Sequence, residues 1–166
     1  MLMKKVVLFT ALSFLLIACN DEEPAPLEEM EETPIETEED APLSWGQQIT
    51  QISESEDNAD NKFYALESYM KEYKATMPEI ELFQSQTLAS FKNDSYLTEI
   101  DNHEKMLTEI FQSYVLSTHV KDEAWQTFSE NYYDNVTAVY RGLEETSSEV
   151  VQTNETAMTE AATSLQ

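Results

Sequence analysis

An all-α fold is predicted by three features of the chain. Glycine occurs only at Gly46 and Gly142, and no Asn-Gly or Asp-Gly pair is present, so the turn chemistry that joins strands into hairpins is missing. Beyond Pro42 the only proline is Pro78, which leaves long stretches with no helix breaker. Apolar residues then recur at alternating three- and four-residue steps, which aligns them along helix faces. Short connections between such helices favour antiparallel neighbours, so the expected architecture is an antiparallel bundle of three to four amphipathic helices.

The first run takes in Trp45, Ile49, Ile52, Glu56, Ala59, Phe63, Leu66, Met70, Tyr73 and Met77, one stripe that weakens only at Glu56 and Ala59. Residues 53–61 are polar but for Ala59, and Asp or Asn can cap a helix start, so either a break or a frayed first segment is expected there. Thr76-Met77-Pro78-Glu79 fits the capping-box pattern, with proline in the first turn where its missing N–H does no harm. The helix it opens carries Ile80, Phe83, Leu88 and Phe91 and should break at Asn93-Asp94-Ser95. The third run follows Tyr96, Ile100, His103, Leu107, Ile110 and Tyr114, and the fourth Trp125, Phe128, Tyr132, Val136, Val139, Leu143 and Val150. Past Ser147 the chain is Thr-rich, and threonine is a mediocre helix former, so the last helix is expected to fray.

Charge and composition exclude several classes of function. Nine basic residues stand against 33 acidic ones in 166, a net charge of −24, so wrapping a phosphate backbone would oppose the protein's own field and nucleic acid is not an expected partner. With two glycines neither Gly-rich phosphate loop can be written. A single cysteine excludes an internal disulfide and every multi-cysteine metal motif. Residues 20–42 hold eleven acids, four prolines and no basic residue, too little apolar surface to offset ordering entropy, so this stretch reads as a disordered acidic tether.

Ahead of the tether, Lys4 and Lys5 precede an apolar run from Val6 to Ile17 that is too short to span a bilayer core, as expected of a secretory signal. Leu16-Ile17-Ala18-Cys19 resembles the lipobox of bacterial lipoproteins. The resemblance covers residues 1–19 and implies cleavage before Cys19 and attachment of a diacylglyceryl group to its sulfur. Each buried methylene contributes ~0.8 kcal/mol and two acyl chains hold stably where one does not, so such an anchor is effectively permanent. The implied organisation is a signal peptide over residues 1–18, a lipidated cysteine with its tether over residues 19–43, and the helical bundle domain over residues 44–166.

Candidate chemistry in the domain is sparse. His103 lies on an apolar stripe with Glu99 four residues earlier, but the di-iron pattern ExxH fails because residue 100 is Ile, so a core-edge histidine is expected. His119, near Asp122 and Glu123, reads as a solvated loop residue. Glu56, Asn58, Asp60, Asn61 and Glu67 imitate a calcium loop, with Phe63 at its apolar position, yet Glu replaces the first Asp and Asn61 the glycine, which favours a capping region or polar helix. Most of the aromatics sit at heptad-like positions and read as core; Tyr64, Tyr69 and Tyr133 fall off the stripes and are the candidates for surface exposure.

No catalytic, cofactor-binding or metal-ligating set is therefore expected. Together with the lipoprotein resemblance, the domain reads as a non-enzymatic interaction or structural module of the bacterial cell envelope. It would be held on the extracytoplasmic face of the membrane through Cys19 and meet an envelope protein or a cell-wall component. The alternative is an envelope lipoprotein that binds a cation or small ligand.

Overall fold

Ser44, Asn58, Thr76, Asn102, Asp122 and Ser148 each stand where a polar side chain can satisfy the orphan N–H groups of a helix start, and each opens a helix. The protein is seen in a computed structural model that describes residues 43–165. Among these the regular structure is six helices: α1 (Trp45–Ser53), α2 (Ala59–Glu72), α3 (Met77–Lys92), α4 (His103–His119), α5 (Glu123–Tyr140) and α6 (Glu149–Ala162). None of them is long and apolar enough to cross a membrane. The proposed signal peptide, Cys19 and nearly all of the acidic tether lie outside the described residues.

Six helices replace the three to four expected, and the physical reasons are local. The first run divides where Asn58 caps α2, its side chain accepting from Asn61 N–H at 2.9 Å, so the expected break is real. The third run begins at His103 rather than Tyr96, because the chain from α3 to α4 passes through left-handed conformations at Asp94 (φ 54°) and Glu99 (φ 55°). The fourth run ends at Tyr140. Gly142 (φ 67°) adopts the left-handed conformation that a Schellman C-terminus needs, with Gly142 N–H bonded to Val139 O at 3.0 Å and Leu143 N–H to Ala138 O at 2.9 Å. Leu143 and Val150 are consequently exposed, at 62% and 54%, instead of continuing the stripe. Nor does the chain fray past Ser147: α6 forms and buries Val151, Met158, Ala161 and Ala162.

Helix α4 is the hub. It packs against α1, α2, α3 and α5, while α6 packs against α5. It is buried nearly all the way round, with Met106, Leu107, Ile110, Phe111, Val115 and Leu116 at 0% exposure. Phe111 is the centre of an aromatic cluster drawn from four helices: Trp45 and Tyr69 stack on it at 5.6 and 5.8 Å, and Tyr73 and Phe83 meet it edge-on at 5.0 and 5.8 Å. A second cluster joins Phe91, Tyr96, Trp125, Phe128 and Tyr132.

Three of the cations are turned onto the domain's own groups, while Lys71, Lys74, Lys92 and Lys121 are exposed. Lys62, 2% exposed, points its ammonium at the end of α1, donating to Ser53 O at 2.9 Å, to Ser55 O and to Ser55 Oγ at 3.3 Å. It satisfies carbonyls that the helix terminus would otherwise leave bare, at the negative end of the helix dipole. Lys105 does the same for the α3–α4 connection, donating to Ser95 O at 2.7 Å, to Thr98 O and to Thr98 Oγ1 at 2.9 Å. Arg141 pairs with Asp60 at 2.7 Å and lies over the rings of Phe63 and Tyr64 at 4.6 and 5.1 Å, tying the end of α5 to the start of α2.

Candidate functional site

Lys105, Thr108, Glu109 and Gln112 follow one another at the spacing that puts side chains on one helix face. In α4 this polar stripe faces an open cleft of about 480 Å³ that is also lined by Trp45 from the first turn of α1 and Gln86 from α3. Asn102, the cap of α4, and Glu104 stand at its mouth. The volume falls in the range of small-molecule sites. A second hollow, lined only by Leu43 and the outer face of α1, lacks buried polar groups.

The polar groups of the cleft are fixed from behind. Glu109, 9% exposed, accepts from Ser90 Oγ at 2.7 Å on one carboxylate oxygen and from Tyr132 Oη at 2.5 Å on the other. Burial and the neighbouring Glu109 push the Tyr132 hydroxyl well above its ordinary pKa, which keeps it a donor to the carboxylate. Gln112, 3% exposed, donates from Nε2 to Gln86 Oε1 at 2.6 Å. Thr50 Oγ1 donates to Glu104 Oε1 at 2.8 Å. Trp45 is held by Phe111 on its face and Phe83 at its edge, 5.3 Å away. The result is a pre-organised cleft with an aromatic wall, two carboxylates and an amide pair, whose one ammonium is already committed to Ser95 and Thr98.

The residues singled out in the sequence do not converge there. His103, in the first turn of α4, shares a hydrogen bond of 3.0 Å with Tyr140 Oη, and Glu99 is in the preceding turn rather than on its helix face. His119 is exposed at the end of α4, its Nδ1 3.1 Å from Val115 O. The residues resembling a calcium loop are dispersed: Asn58 caps α2, Asp60 pairs with Arg141, and Glu67 pairs with Lys71 at 3.1 Å. Among the described residues no group of three or more His, Cys, Asp or Glu is gathered as a metal would need. Tyr64 is exposed as expected, whereas Tyr69 is half-buried against Phe111 and Tyr133 against Tyr114.

No protein-family model matches the chain, and neither a curated protein nor a solved structure matches it.

Proposed function

We propose that the chain is a lipid-anchored lipoprotein of the bacterial cell envelope, held on the extracytoplasmic face of the membrane through Cys19, whose helical domain is a non-enzymatic interaction or structural module. The lipobox-like Leu16-Ile17-Ala18-Cys19 supports the location. The observation that carries the role is a partly apolar, exposed face of α3 on an otherwise acidic surface. With Lys62, Lys105 and Arg141 turned onto carbonyls and Asp60, the carboxylates of the outer surface outnumber its exposed lysines, Lys71, Lys74, Lys92 and Lys121. Helix α3 packs chiefly on α4 and presents outward a stripe of exposed residues, Met77, Glu81, Leu82, Ser85 and Ala89, apolar at Met77 (66% exposed) and Leu82 (45%). The proposal takes the helices as an antiparallel bundle around α4, with this face of α3 meeting an envelope protein or cell-wall component.

The test is crosslinking in intact cells from a photoreactive residue placed at Leu82, with Gln152 on the exposed side of α6 as control. Leu82 should recover one discrete envelope species and Gln152 should not. Recovery should persist at high salt, because an apolar contact is not screened while long-range attraction to the acidic surface is. Identical products from both positions would contradict the proposal.

A second reading, a lipoprotein that binds a small ligand or cation, is favoured by the cleft beside Trp45.

A further inference from the structure

We propose that the exposed face of α3 is where two copies of this chain meet, each α3 lying antiparallel to the other across a two-fold axis. The inference rests on the interaction reading and names its partner. At 3.6 residues per turn Pro78, Glu81, Leu82, Ser85, Ala89 and Lys92 share an arc of about 100°, and all six are exposed. Ile80, Phe83 and Thr87 fill the opposite side of the helix, in the core, so α3 carries apolar residues on both sides. Charge selects the occupant of the outer face. From Lys71 to Lys92 three lysines stand against three glutamates, whereas residues 43–70 and 93–165 hold 19 acids against four basic residues. Of those four, Lys62, Lys105 and Arg141 are turned onto the domain's own groups, which leaves Lys121. A basic partner is drawn to the carboxylate-rich sides, but a second copy is repelled there and meets least repulsion at α3.

The face is complementary to itself in one orientation. With the axis between Ser85 and Gln86, an antiparallel pair sets Leu82 opposite Ala89 of the second copy, and symmetry repeats the contact. Lys92 then falls two residues, ~3 Å along the helix, from the position opposite Glu81 of the second copy, within reach of a lysine stem. A parallel pair would instead set Lys92 on Lys92 and Glu81 on Glu81. The small side chains of Ser85 and Ala89 let the two axes come close. A helix of this length is ~24 Å long and ~10 Å wide, so the face covers less than the ~800 Å² per partner of a standard interface. The pairing is accordingly weak between free chains, and chains anchored to one membrane meet at the effective concentration it needs.

The experiment co-expresses the full chain with two different C-terminal tags, one form carrying a photoreactive residue at Ser85, and irradiates intact cells. A product of twice the chain's mass that carries both tags is expected. Lys92→Glu should lower its yield about fivefold, because both symmetric pairs turn repulsive. Glu81→Lys alone should lower it by a similar factor although it makes the chain less negative, and the two changes together should restore it. Residues 81 and 92 are three turns apart on one helix, so such a rescue is a contact between chains. A yield that falls with Lys92→Glu but rises with Glu81→Lys would reduce the effect to general repulsion and overturn the pairing, as would a double variant that stays low. A discrete product joining one tag to a different envelope protein would overturn the second copy as partner and leave the interaction module standing. No discrete product from either Ser85 or Leu82 would contradict both.

Discussion

Replacing Phe111 by Ala should cost the domain about 3–5 kcal/mol, the range for deleting a fully buried phenylalanine ring. Phe111 has no exposed surface and touches aromatic rings from α1, α2 and α3, so its loss opens a cavity that no single neighbour can fill. Domains of this size are stable by only ~5–15 kcal/mol, and each kcal/mol corresponds to several degrees of melting temperature, so a fall of 10 °C or more is expected by thermal unfolding. Phe111→Leu should lose much less, because it fills most of the space. A Phe111→Ala variant that melts within a few degrees of the parent would show that the four-helix aromatic cluster does not hold the domain together.

Alkaline pH should unfold the domain sharply. Burial raises the pKa of Tyr69, Tyr73, Tyr96, Tyr132, Tyr133 and Tyr140 above the ordinary 10.0, with Tyr140 pushed up to about 12. Carboxylates reinforce the shift at all of them but Tyr140, and at three through a direct hydrogen bond: Tyr73 to Glu79, Tyr96 to Glu155 and Tyr132 to Glu109. For a group whose folded pKa lies above its unfolded value, the stabilisation is complete below the unfolded value and is lost as pH rises through the folded one. The tyrosines therefore favour the folded state fully below about pH 10 and progressively less towards pH 12. Tyrosinate absorbance and far-ultraviolet circular dichroism, followed together, should change in one cooperative step within that window. Tyrosinate forming at these positions near pH 10 with helicity intact would mean that the rings are open to water.

At acid pH a smaller effect has the opposite sign. Burial pushes the Glu79 carboxyl up, but hydrogen bonds from Tyr73 Oη, Thr76 N–H and Thr76 Oγ1 outweigh it and hold the group below its ordinary value. The contribution of Glu79 to closing the α2–α3 turn is thus present above the ordinary carboxylate range and lost as pH falls through the lowered pKa.

The helical class was legible because scarcity of glycine and proline is a property of the whole chain, and the start of α3 because Thr76-Met77-Pro78-Glu79 acts locally. The end of α5 was missed: Gly142 directly after Tyr140-Arg141 is a C-terminal signal, but the apolar spacing through Leu143 to Val150 masks it. Stripe analysis picks out Leu107 and Ile110 on α4 and misses Met106, Phe111 and Val115, since a helix enclosed by four others has no single buried face. Its apolar residues on every side were the available clue. The cleft is harder to read. That Lys105, Thr108, Glu109 and Gln112 share a face follows from spacing, but the burial of that face depends on where Trp45 and Gln86 arrive from distant helices. Lys62 shows the same limit, since its burial depends on α1 ending within reach of its ammonium.

The central claim, an envelope lipoprotein anchored through its one cysteine, is tested most directly by intact-mass analysis of the protein extracted from membranes. The account predicts a species beginning at Cys19 with a mass increment the size of a diacylglyceryl group. An unmodified chain that still begins at Met1 would contradict it.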